Sequence, residues 1–215
     1  MESFEIIHYL HIVAFAVIVG IEVPSVYAVR LSLRTSTPPA ARAVAIQVRR
    51  WTYAIGGLML VTFLPFGTSI AIDIGVYTLM SPAWLTATWI VALVWFGFVL
   101  AAELTGASIF ARRLYTTEIV LRFLIGLGHV YDGIVGFLGT GMILTNWLAA
   151  KVVLFGLVLI VSSLIRWQTR TIRFADGATL EDDAAAGQLA RAQWGSYLIV
   201  AMALVAAWMG TVKPW

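Results

Sequence analysis

The sequence predicts an all-α protein, a polytopic transmembrane bundle of six helices with both termini on the non-cytoplasmic side. Three observations predict it. Of 215 residues, 61% are hydrophobic and only 12% charged, about half the charge of an ordinary soluble domain. Six apolar stretches are each long enough to cross a hydrocarbon core of roughly 30 Å. The arginines between those stretches fall in alternate connections.

The stretches cover about 4–29, 51–73, 83–104, 119–144, 147–167 and 192–212. Transmembrane β-strands are about half this length and alternate in polarity; these segments do neither. Arg30, Arg34, Arg42, Arg49 and Arg50 follow helix 1, Arg112, Arg113 and Arg122 follow helix 3, and Arg166, Arg170, Arg173 and Arg191 follow helix 5. The connections 74–82 and 145–146 carry no basic residue. The positive-inside bias therefore places both termini outside, and a missed helix would break the alternation. Glu2 and Glu5 precede the first apolar run and Arg30 follows it, the reverse of a cleavable signal peptide, so this run is expected to stay as an anchor. In the longest polar connection, Thr179 with Asp182 three residues on predicts a helix start running into helix 6.

The chain has no cysteine, which excludes disulfides, thiolate metal sites and covalent c-type haem. Its net charge of +3 resides mostly in arginines at the membrane edges, so nucleic acid is not an expected partner. The lipid bilayer is. Nucleotide-loop and hydrolase motifs are absent from the sequence.

Phe66-Gly67-Thr68 followed by Trp84-Leu85-Thr86-Ala87 resembles Leu138-Gly139-Thr140 followed by Trp147-Leu148-Ala149-Ala150. Helices 2–3 and 4–5 thus read as two copies of one hairpin, an arrangement that often places a site between its halves. In this alignment Thr88 stands opposite Lys151.

Ionisable groups inside a span cost about 2.5–3.5 kcal/mol each near the centre, so they mark sites or partners. His8 and His11 share a face of helix 1, and Lys151 is the only lysine within a span. Glu22 lies deeper in helix 1, while His129 and Asp132 share a face of helix 4. Counting from these span boundaries, His11 and Lys151 fall in one outer layer, Glu22 and His129 in an inner one, with the two histidines roughly 12 Å apart along the normal. Structural readings stand beside the functional ones. His8 suits a polar interface, Lys151 can snorkel, Asp132 can orient His129, and Glu103 and Asp73 sit at helix ends. Helix 4 is rich in glycine (Gly126, Gly128, Gly133, Gly136, Gly139 and Gly141), which suits either close helix packing or a flat macrocycle beside His129.

The helix-1 Leu10-His11-Ile12, the segment Trp147-Leu148-x-x-Lys151 and the tail Val212-Lys213-Pro214-Trp215 resemble the HemJ-type protoporphyrinogen oxidases, the related copper-resistance D membrane domains and several uncharacterised bacterial membrane families. The resemblance implies a bacterial inner-membrane protein that binds b-type haem or porphyrin. By that resemblance His11 would be the axial ligand and Lys151 a catalytic residue; the residues themselves, apart from the resemblance, add His129 and His8 as further cofactor-binding candidates. Asp132 and Glu22 would form a proton relay, and electrons would pass to quinone or a redox partner subunit. Two departures stand out: Ala149-Ala150 occupies the segment where that family commonly has a histidine, and the helix count is higher. The residues equally admit a proton- or metal-coupled transporter, helped by the helix-breaking Pro65, or a non-catalytic subunit of a larger complex.

Overall fold

The computed structural model describes residues 2–34, 36–78, 81–104, 108–173 and 183–213, and among them every regular element is a helix. In chain order these are α1 (Glu2–Leu33), α2 (Pro39–Asp73), α3 (Pro82–Leu104), α4 (Ile109–Phe137), α5 (Asn146–Gln168), the single turn α6 (Arg170–Arg173) and α7 (Asp183–Val212). All except α6 are long and apolar enough to cross a membrane. The chain is a multi-pass membrane protein. The expected cap at Thr179 and Asp182 lies outside the described residues, as do Pro214 and Trp215 of the tail.

Each spanning helix packs on its sequence neighbours, and α7 returns to α1, so the six form a closed ring. The ring interior is sealed by Val61, Trp95, Val99 and Leu159, none more than 1% exposed. Large apolar side chains such as Val23, Leu93, Leu104 and Ile109 point outward, as they must when lipid, not water, is the surrounding solvent. Because successive helices alternate in direction, Glu2, Val212 and the turns that follow Asp73 and Phe137 lie at one end of the bundle, called here the terminal end. The arginines gather at the other.

Two boundaries differ from expectation. The second helix begins at Pro39, not near 51; a proline at the first helical position needs no hydrogen bond there. The added residues carry Arg42, Arg49 and Arg50, polar enough to fall outside an apolar window although helical. The fourth helix runs from Ile109, where the Ser108 hydroxyl accepts from Ala111 N at 3.0 Å, and stops at Phe137 instead of about 144. It stops because Gly139 takes φ +68°, a left-handed turn that glycine adopts without steric cost. Pro65 does not break α2 and stays within one continuous helix.

The end of α2 repeats the same stop. Gly75 takes φ +74°. Ile74, Gly75 and Val76 donate to Ile70, Ile72 and Ala71, just as Leu138, Gly139 and Thr140 donate to Ile134, Gly136 and Val135. Gly75 to Gly139, Pro82 to Asn146 and Leu104 to Gln168 all share an offset of 64 residues. The hairpin repeat is therefore present in the backbone, but its register differs from the motif alignment: Gly75, not Gly67, matches Gly139, and Ala87, not Thr88, matches Lys151. Helix caps set the register, and short letter matches in apolar sequence do not.

The two turns at the terminal end also pair with each other. Thr78 N donates to Met142 O at 2.8 Å and Leu144 N to Val76 O at 3.0 Å, around an antiparallel bridge between Tyr77 and Ile143. Thr78 and Met142 are themselves 64 apart, so the pairing is centred on equivalent residues, as a two-fold axis along the bundle requires.

Candidate functional site

The corrected end of α4 moves His129. It lies eight residues before Phe137, about 12 Å below the terminal end, and His11 lies nine residues after Glu2, about 14 Å below it. The two histidines share a layer. Asp132 and Lys151 lie about 8 Å from the same end. Glu22 stands about 30 Å along α1 from Glu2, in the opposite half, so it does not join His129.

Within the layer, His11 meets Phe63 of α2 edge-on, with ring centroids 4.6 Å apart. Phe63 stacks on Phe155 of α5 at 6.0 Å, and Phe155 meets His129 edge-on at 5.1 Å. Two phenylalanine rings thus stand between the imidazoles. His129 Nδ1 bonds the Ile125 carbonyl at 2.8 Å, which makes Nδ1 the protonated nitrogen and leaves Nε2 as the lone-pair side. His11 Nδ1 is buried with no hydrogen-bond partner among the described residues. The Lys151 charge acts on the His11 ring. The Lys151 amine has no ion-pair or hydrogen-bond partner among the described residues, and it lies against α7, where a Cβ on Gly210 would come within 2.9 Å of Nζ. Gly210 belongs to the last turn of α7, whose free carbonyls favour a cation. His8 is exposed, its ring 5.7 Å from Phe4.

Asp132 is half-buried one turn from His129, and its charge reaches both His129 and Tyr77. The Tyr77 phenol, in the turn after α2, donates to Met142 Sδ at 3.6 Å. Burial, then the Asp132 charge, push its pKa up to about 12.

The donors fit a haem only in part. His11 offers a buried, unpartnered nitrogen, as one axial ligand requires. A bis-histidine pair with His129 does not fit, because Phe63 and Phe155 fill the gap. The glycine face of α4 is also taken. A Cβ on Gly126 would meet Gly156 O at 2.9 Å, and one on Gly156 would meet Gly126 O at 2.6 Å. The backbones of α4 and α5 touch there, so this glycine run serves helix packing. Among the described residues, three or more His, Cys, Asp or Glu side chains nowhere gather as a metal site.

The sequence reading missed a second polar centre. Arg122 and Arg166, counted as loop arginines, and Glu118 and Glu103 form an ion cluster inside the arginine end. Arg122 Nε donates to Glu118 Oε1 at 2.7 Å, with Nη2 on the same oxygen, and Nη1 donates to Ser162 Oγ at 3.0 Å. Arg166 Nε lies 3.1 Å from Glu118 Oε2, and its Nη2 donates to Glu103 Oε1 at 3.1 Å. Trp95 Nε1 donates to Glu118 at 3.3 Å, and Tyr115 places its ring 4.5 Å from the Arg166 guanidinium. Glu118, Arg122 and Arg166 are at most 1% exposed. Gly57 of α2 leaves room for both guanidiniums, since a Cβ there would lie 3.2 Å from Arg122 Nη2. Glu118 four residues before Arg122 on one helix is a signal that could have revealed the pair. Glu103, at the end of α3, belongs to this cluster.

Against known proteins, the chain matches no family model, no curated protein and no solved structure.

Proposed function

We propose that this membrane protein binds a b-type haem or a related porphyrin in the terminal half of the bundle and takes part in electron transfer or porphyrinogen oxidation. The observation that carries the reading is an orphaned imidazole nitrogen on His11 within reach of the charge of Lys151, both in the terminal half of the bundle and without a hydrogen-bond partner there among the described residues. A buried donor without a partner costs about 1–3 kcal/mol, and an ammonium in a span costs more. A carboxylate-bearing planar ligand relieves both.

In this reading His11 is the iron ligand, and a haem would supply one-electron chemistry when bound. Lys151 pairs a propionate or stands at the porphyrinogen. His129 holds a proton-accepting Nε2 beyond the phenylalanine pair, with Asp132 stabilising its cation. Quinone or a redox partner subunit takes the electrons. The arginine end faces the cytoplasm of a bacterial inner membrane, and both termini face outward. The resemblance of helix 1, the Trp147–Lys151 segment and the tail to HemJ-type proteins supports the same reading. The test is a reduced-minus-oxidised visible spectrum of the protein purified from haem-replete cells. A Soret and α-band difference is expected; a flat spectrum removes the haem.

Proton-coupled transport is the second reading. Glu22 favours it: a carboxylate with one buried, unpartnered oxygen stands in the opposite half from His11 and His129. Substrate-driven proton flux in proteoliposomes, lost in Glu22→Gln, would decide for it.

A further inference from the structure

The junction of α1, α2 and α7 at the arginine end holds opposite charges that do not satisfy each other. Arg49 is 7% exposed, and its Nε and Nη2 are buried with no hydrogen-bond partner among the described residues. These two nitrogens form one edge of the guanidinium, the edge that grips an oxyanion through two parallel bonds. The other face of the group is held by the Tyr53 ring, 4.8 Å away. Glu22 on α1 feels the Arg49 charge, yet its Oε2 is buried with no hydrogen-bond partner among the described residues. Tyr53 and Ser196 hydroxyls lie 3.3 Å apart, tying α2 to α7 behind the carboxylate. Arg42, two turns along the same face of α2, also has a buried, unpartnered Nε.

An inorganic anion would satisfy Arg49 but be repelled by Glu22. A simple cation would do the reverse. A ligand carrying both an oxyanion and an ammonium a few bonds apart satisfies both. The site lies at headgroup depth, since Tyr27, Trp51 and Trp194 on the same three helices are exposed around it, as aromatic residues are at a bilayer interface.

We propose that this junction is a binding site for the zwitterionic phosphoethanolamine headgroup of a membrane phospholipid, with the phosphate on the free edge of Arg49 and the ammonium on Glu22. The proposal stands apart from the porphyrin reading, because these residues lie in the opposite half from His11 and Lys151.

The test uses the full-length protein, delipidated in mild detergent and followed by native mass spectrometry. Phosphatidylethanolamine and phosphatidylglycerol are added separately, each with and without millimolar free phosphoethanolamine. The wild type is expected to retain phosphatidylethanolamine about tenfold more than phosphatidylglycerol. Glu22→Gln removes the partner of the ammonium and should abolish that preference. Arg49→Gln should lower retention of both lipids. Arg49→Lys, which keeps the charge without the two-donor edge, should do so too, and it serves if the glutamine variant does not fold. Equal retention of both lipids by the wild type, or unchanged retention in Arg49→Lys, overturns the site. Free phosphoethanolamine carries the same two groups and should compete with phosphatidylethanolamine for the wild type; retention unaffected by it overturns the headgroup as the recognised part.

Discussion

Arg166 Nε lies 3.1 Å from Glu118 Oε2, joining α5 to α4 at a point where neither side chain is more than 1% exposed. Arg166 also holds Glu103 of α3, so one guanidinium ties three helices together. Removing one member of a buried ion pair leaves the other charge without compensation, which costs about 3–5 kcal/mol. Arg166→Leu should therefore destabilise the protein by about that amount in detergent unfolding, while Arg113→Ala, on an exposed face of α4, should stay within about 0.5 kcal/mol. Equal stability of the two variants would deny the cluster a structural role.

The contact between Gly126 and Gly156 gives a second prediction. No side chain fits where the backbones of α4 and α5 meet, with 2.6 Å between Gly126 O and a Cβ on Gly156. Gly156→Leu should part the helices and cost at least the ~1–3 kcal/mol of ordinary overpacking. Gly128 has open space around it, and Gly128→Leu should leave the unfolding midpoint within a few degrees of wild type. If both variants unfold alike, the packing assignment of the glycine run fails.

Tyr77 makes the pairing of the two terminal-end turns sensitive to alkali. Its folded pKa is raised to about 12 by burial and by Asp132, above the unfolded value of about 10. The protonated phenol is thus favoured by folding. Its contribution is fully present below about pH 10 and is lost as pH rises toward 12. Absorbance at tyrosinate wavelengths should show one phenol ionising late in the wild type and missing in Tyr77→Phe. A Tyr77 that titrates with the exposed tyrosines would contradict this.

The helix count and class were legible in the sequence because apolar length is a strong signal. The ends of α2 and α4 were not, for opposite reasons. Arg42, Arg49 and Arg50 extend α2 beyond its apolar part, and the apolar Ile143 and Leu144 lie past the end of α4, in the paired turn. That second error carried His129 into the wrong half and hid its shared layer with His11. Arginines near span ends read as topology markers, so Arg122 and Arg166 were assigned to loops. The spacing of Glu118 and Arg122 marks one pair on α4, and tertiary packing brings Arg166 to the same carboxylate. The placement of His11 and Lys151 in the terminal half was legible, since both lie a few turns from the ends of apolar spans, and the Lys151 charge does act on the His11 ring.

The most direct test of the account compares reduced-minus-oxidised spectra of His11→Ala and His129→Ala, both purified from haem-replete cells. The phenylalanine pair between the rings predicts unequal effects. His11→Ala should abolish the Soret difference band, and His129→Ala should keep its intensity. Loss of the band in His129→Ala with retention in His11→Ala, or no band in the wild type, would contradict the assignment of His11 as ligand.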